Sequence, residues 1–404
     1  MADPLAPREK RPLPYSLFAV ALFLAFALVQ SANPKLLPDF FIYRLGAELG
    51  LHGQSPYNLT AIRERVAEQY PDPDAGPDSF INNCGYFLPP MAVLVYAPFA
   101  MLPWPAAKVA WAIASAIAAL GITRIPDLFQ KNRPTPSPIW NGLVPFLLVV
   151  NFLALAILQV GQSTLVVVGC VAFGQWCFER NLSTLGTLLW SVAFIKPHVA
   201  LPLVPLAWYL GGWKRAAGLL GVVAALNLAG AAVIGSPLVL RDYVDFLAAG
   251  HKAVAFNLAE RNPEITSWNR LLFVATGTLI EQAAPITLAS YLIFLAIVLG
   301  RCALAGDRPP AAWAMAAAAT AAAWCPQVLA YEAYSLVLVV PWLRELFATR
   351  SPCRQVLGIV VVLLLIVELL PYPAASAIGI TFHRPLAVAL LALAILFRPL
   401  PPKN

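Results

Sequence analysis

The sequence predicts an all-α integral membrane protein, a bundle of about twelve transmembrane helices forming one polytopic domain over residues 1–404. Three observations carry this. Of the 404 residues 60% are hydrophobic and only 12% charged; the mean hydropathy is +0.73; and apolar runs recur almost end to end, with basic residues collecting between them. A soluble chain of this length would balance its apolar residues with about 25% charged ones.

The first run, about Tyr15 to Ala32, follows the basic start "PREKR" and imitates a secretory signal. No small-residue cleavage site follows it, so it reads as an uncleaved first span. The remaining apolar runs cover roughly 106–122, 139–158, 163–178, 182–195, 198–211, 216–235, 285–303, 310–324, 327–342, 355–371 and 385–397. Several fall short of the ~20 residues a full crossing needs, notably the pair on either side of Lys196 and Pro197, which reads as two half-buried helices meeting at a turn. The 37 prolines mark helix ends and kinks, since neighbouring helices and trapped water can re-satisfy the backbone groups they free.

Charge sets the orientation. With the N-terminus cytoplasmic, the inner segments hold sixteen of the 27 basic residues and six of the 20 acidic ones, a net +10, which leaves −3 outside. Every short loop then obeys the positive-inside rule, and both termini are expected in the cytoplasm, with the protein in the plasma (inner) membrane. Two long segments fall outside, the first outer loop at 34–105 and the second at 236–284. The stretch 87–104 is apolar but carries four prolines. Counting it as a span would invert every later loop, so it is expected as a re-entrant or interfacial helix. The run "PDPDAGPDS" at 71–79 reads as a flexible flap.

The overall charge of +7 does not indicate nucleic acid, because the basic residues stand singly or in short groups between apolar runs. Six cysteines lack any metal-ligand spacing; Cys84 and Cys325 could both face outside, where a disulfide is conceivable. P-loop, GxGxxG, HExxH and GxSxG motifs are all missing, and no carboxylate or histidine cluster has ligand spacing, so neither metal nor other cofactor is expected.

Residues that could carry chemistry gather on the outer side. Asp39 opens an amphipathic stretch, "DFFIYRLGAEL", just beyond the first span, where it could serve either as a helix cap after Pro38 or as a general base. Glu332 and Glu368 are carboxylates in or at the ends of apolar helices, where an ionised group needs either a function or a partner. Lys196, Pro197 and His198 interrupt an apolar hairpin and bring a cation and an imidazole near membrane depth, which suits an anionic lipid headgroup. The second outer loop adds His251, Lys252, Arg261, Asn269 and Arg270, of which one or two could meet a phosphate.

Five stretches in order resemble glycosyltransferase family 87, a mannosyltransferase-like group of the GT-C superfamily: "DFFIYRLGAELGLHGQSPYN" from Asp39, "YFLPPMAVLVYAPFAMLPWPAAKVAW" from Tyr86, "ILQVGQSTLVVVG" around Gln162, "FIKPHVALPLVPLAWYLGGWKRAAG" around Lys196, and "CPQVLAYEAYSLVLVVP" around Glu332. The resemblance implies a GT-C-like bundle. It also implies inverting transfer of a sugar, mannose or another hexose, from a polyprenyl-phosphate donor to a lipid or glycan acceptor on the outer face. It places the acidic catalytic residue at Asp39, which favours base over cap. Lys196, His198 and Arg270 are then expected to bind the donor phosphate, in falling order. Substrate contacts are expected from Tyr43, Tyr57, Tyr86, Gln162, His251, Asn269, Tyr331 and Glu332. Where some members of the family carry a histidine, this chain has Gln327, Tyr331, Glu332 and Tyr334, compatible with another hexose or a pentose. The competing expectation is a transporter or flippase of lipid-linked sugars, which would use the same intramembrane acids. No repeat relates the two halves, and the polar residues concentrate in the two outer loops.

Overall fold

A computed structural model describes residues 13–33, 37–69, 84–129, 139–253, 268–277, 283–304, 310–325, 329, 331–348, 351–369 and 383–396. The 71–79 segment, Gln327, and the side chains of His251, Lys252, Arg261, Asn269 and Glu368 lie outside the described residues. What is described is helical, without a strand. Among the described residues, four helices are long and apolar enough to cross a membrane: Tyr15–Ala32, Trp104–Asp127, Ile139–Val160 and Leu203–Ile234. Seven shorter apolar helices accompany them. Their outward faces carry large apolar side chains; Phe18, Val29, Ile117 and Leu228 are 63, 70, 63 and 62% exposed. Apolar surface on this scale is stable against lipid tails and not against water.

The first helix, α1 (Leu13–Ala32), packs along α5 (Trp104–Ile122), which in turn packs on α8 (Thr164–Glu179). Small residues set these contacts. A Cβ added at Gly169 would lie 2.7 Å from Ala118, so the two helix backbones approach as closely as side chains allow. At the centre stands α15 (Ala311–Trp324), an alanine-rich helix buried on all sides. It lies against a 3₁₀ helix, Glu332–Val339.

Between α1 and α5 the chain lays down three short helices, α2 (Pro38–Leu51), α3 (Leu59–Gln69) and α4 (Met91–Ala100). The stretch singled out for its prolines thus contains a ten-residue helix with Pro98 inside it, about 15 Å long and half of a bilayer crossing. Arg44 of α2 ties down its C-terminal end. The guanidinium donates to the carbonyls of Phe99 at 3.2 Å, Ala100 at 3.3 Å and Leu102 at 2.9 Å, at the helix end where carbonyls run out of intrahelical partners.

Residues 203–234 form α11, which is broken at Gly212, with φ 75° and ψ −179°. A side chain there would strain the backbone; glycine does not. The break falls between two of the expected spans. Before it, α11 starts close to Lys196; just after it, Arg215 lies over the Phe178 ring near the end of α8, 4.2 Å from its centroid. The far end returns to α2, with Ile234 against Gly50. Cys325 is a free thiol, and Cys84 packs in a separate group with Phe41, Ile42 and Ile62. The conceivable disulfide between them is therefore not formed.

Candidate active site

The site begins with a helix terminator. The short helix α7 (Phe152–Val160) ends at Gly161, whose φ of 77° is left-handed. The amide N–H of Gln162 folds back to the Ile157 carbonyl at 3.0 Å and that of Gly161 to Leu158 at 3.2 Å. Such a cap projects the next side chain off the end of the helix. The Gly161 backbone abuts α2 so closely that a Cβ would lie 2.6 Å from Phe40 Cβ. On the other side Leu37, itself left-handed at φ 69°, donates its N–H to the Gln159 carbonyl at 3.1 Å. The start of α2 and the turn at 161–162 are thus joined backbone to backbone, which puts Gln162 beside Asp39.

Gln162 Nε2 donates to Asp39 Oδ2 at 2.7 Å. Its Oε1 accepts from the Tyr43 hydroxyl at 2.8 Å and from Lys196 Nζ at 2.6 Å. Tyr43 lies one turn beyond Asp39 on the same face of α2, and its ring packs 5.3 Å from that of Tyr96 on α4. Asp39 Oδ1 accepts no hydrogen bond among the described residues. Burial pushes the Asp39 carboxyl up to about 6, a rise that the Gln162 hydrogen bond and the Lys196 charge partly offset and to which Glu332 adds. Tyr43 is pushed well above the phenol range by burial first and by Asp39 next, so it stays a donor.

Lys196 occupies a break imposed by the following proline. Its φ and ψ of −118° and 82° lie outside the helical region, which the following proline disfavours, between a 3₁₀ turn (Ala193–Ile195) and α10 (Pro197–Ala200). Its ammonium is buried and donates to Gln162, to Thr164 Oγ1 at 2.9 Å and to Glu332 Oε1 at 2.6 Å. The second Glu332 oxygen accepts the Leu329 N–H at 2.9 Å. His198 stands at the rim with its side chain 35% exposed and Nε2 3.9 Å from Glu332. Tyr331 lies beneath Lys196 Nζ, 5.8 Å from the ring centroid.

Six of the expected residues therefore converge: Asp39, Tyr43, Gln162, Lys196, His198 and Glu332, with Tyr331 alongside. Tyr57 and Tyr86 do not join them. They stand in a second aromatic group, in which Tyr57 lies 5.5 Å from Tyr243 and 5.9 Å from Phe246, and its hydroxyl donates to the Leu88 carbonyl at 2.9 Å. Arg270 is buried on α13 (Trp268–Thr276), which packs on α18 (His383–Leu396). Two residues of the cluster had not been singled out, Thr164 and Tyr96. Thr164 follows Gly161-Gln162 directly, and its place at the start of a helix that opens at the cluster was the available signal. Among the described residues, no three His, Cys, Asp or Glu side chains gather as metal ligands would.

Comparison with known proteins supplies the rest. A search of curated proteins returned no match. A family model does match, over residues 86–326, a stretch that includes Gln162, Thr164, Lys196 and His198 and leaves Asp39 and Glu332 on either side. With more than half of its length matched in this way, the chain belongs to glycosyltransferase family 87.

Proposed function

We propose that this glycosyltransferase moves a sugar, mannose or another hexose, from a polyprenyl-phosphate donor to a lipid or glycan hydroxyl at the outer face of the plasma membrane, with inversion. The observation that carries the reading is Asp39: a buried carboxylate at the start of α2, held through one oxygen by Gln162, with the other accepting no hydrogen bond among the described residues. A base suited to neutral pH needs a proton affinity near the working pH, and burial moves this carboxyl in that direction.

In the proposed reaction Asp39 Oδ1 accepts the proton of the acceptor hydroxyl. The freed oxygen attacks the anomeric carbon, and the bond from that carbon to the phosphate oxygen breaks on the opposite face. Polyprenyl phosphate leaves with the bonding pair, its charge stabilised by cations and hydrogen-bond donors without a strong general acid. His198, half-buried at the rim, and Arg270 are the proposed phosphate contacts. The family match favours transfer over the transport reading. Both termini in the cytoplasm, about twelve crossings and a single polytopic domain complete the proposal.

The test is incubation of the purified chain with a panel of radiolabelled polyprenyl-phosphate sugars and total membrane lipid, followed by identification of the labelled product. One donor is expected to label a lipid or glycan, and Asp39→Asn is expected to lower turnover by at least about 10³-fold with the fold intact. Retained turnover by Asp39→Asn would overturn the assignment of the base.

A further inference from the structure

The hydrogen bonds around Gln162 have a direction. A primary amide presents acceptor lone pairs at one end and two N–H donors at the other. With Oε1 toward Lys196 and Tyr43 and Nε2 toward Asp39, every contact pairs a donor with an acceptor. Turned over, the amide would aim its N–H groups at an ammonium and its oxygen at a carboxylate. Lys196 therefore decides which end faces Asp39.

Lys196 is also fully engaged. An ammonium has three N–H donors, and here they go to Gln162, Thr164 and Glu332, with the side chain 3% exposed. A phosphate oxygen could reach this lysine only by breaking one of those bonds. Glu332 neutralises the charge at 2.6 Å, and Gln162 stands between that charge and Asp39.

Resting on the reading of Asp39 as the base, we infer that Gln162 is a positioning residue for Asp39. Lys196 then acts on sugar transfer through the Gln162 amide instead of through the donor phosphate. A lysine bound directly to Asp39 would occupy a lone pair and hold the carboxylate strongly acidic. The intervening amide transmits orientation while Glu332 takes the charge. Asp39 Oδ1, which accepts no hydrogen bond among the described residues, is the oxygen that would take the proton of an acceptor hydroxyl. The charged and titratable groups around Asp39 are Lys196 and Glu332 across the amide, His198 beyond Glu332, Tyr43 on α2 and Tyr96 on α4.

The experiment uses the full chain in lipid nanodiscs with the polyprenyl-phosphate sugar that the wild-type protein turns over in the panel. Gln162→Leu removes the amide. Lys196→Met combined with Glu332→Gln removes the lysine without stranding a buried charge. Each is expected to lower kcat by roughly 10²-fold while the donor KM, and the donor Kd measured directly, stay within about twofold. Combining them is expected to cost no more than about threefold beyond either one, because both act on one link. With the Gln162 donor gone, the acid limb of the kcat profile is expected to move to higher pH, a change that a packing role would not produce. A donor Kd weakened about tenfold or more by the Lys196 variant, or a kcat for Gln162→Leu within about twofold of wild type, would overturn the inference. Turnover by Asp39→Asn in the same assay would instead remove the base, and the two failures are read on different variants.

Discussion

At Asp39 two forces oppose one another. Removing a carboxylate from water raises its proton affinity, while the Gln162 N–H and the distant Lys196 charge lower it; burial wins, and the group settles at about 6. A base must be deprotonated to act, so turnover is expected to fall as pH drops through about 6, where the Asp39 carboxylate takes up its proton. A kcat profile flat down to pH 5 would exclude a base with this environment. Composition and order along the chain were enough to single out Asp39, Lys196 and Glu332 as candidates, because a charged group in or beside an apolar run needs a reason; Gln162 entered only through the resemblance to the family. The choice between cap and base at Asp39 was not legible locally, since Pro38-Asp39 suits both. Nor was the pairing of Lys196 with Glu332, which lie 136 residues apart. Only the fold brings them to 2.6 Å, and with that contact the lysine changes from a free cation awaiting a phosphate into a group with three acceptors of its own.

Elements hold the site through backbone contacts more than through side chains. The turn that ends α7 meets the start of α2 at Gly161 and Phe40, and α2 is fastened further on by Arg44 over the end of α4. Gly161→Ala must place a methyl 2.6 Å from Phe40 Cβ and 3.0 Å from Phe40 N, in a left-handed backbone that already costs an alanine about 1–2 kcal/mol. Displacement of α2 is expected, with turnover reduced by about tenfold or more as Asp39 leaves Gln162. Gly235→Ala is the control. It shares the left-handed φ, 79°, but a Cβ there meets nothing within 4 Å, so it should lower thermal stability by a similar backbone cost and leave turnover intact. Equal turnover losses in the two variants would show that strain alone, and not the α2 contact, is what matters. The helix in the proline-rich stretch 87–104 is ten residues long, which agrees with the expectation from its prolines that this stretch holds no full-length span. The Arg44 clamp at its end was not legible, because a single arginine in an amphipathic stretch looks like any solvated charge until the carbonyls it meets are known.

Across the whole molecule, the site and the topology are linked through α11. Its start follows Lys196 by seven residues, its break at Gly212 is followed by Lys214 and Arg215, and its end returns to α2. If Asp39 faces outward, the basic pair after the break belongs in the cytoplasm, as the positive-inside rule requires. Cys353, exposed and flanked by Arg350 and Arg354, belongs on that same side. This makes a direct test possible in intact cells with a membrane-impermeant maleimide. Native Cys353 is expected to react only after the membrane is permeabilised, and a cysteine introduced as Lys214→Cys, in a chain with Cys353 replaced by serine, should behave the same way. Ala75→Cys, in the acidic stretch 71–79 that the charge rule assigns to the outside, is expected to react without permeabilisation in that serine background. Labelling of position 214 from outside would reverse the orientation of every loop and move the Asp39 cluster to the cytoplasmic face, where a donor lipid would have to be charged and used on the same side. Protection of position 75 with exposure of 353 would do the same from the other direction, so the sidedness of the chemistry rests on three sites that the reaction itself does not touch.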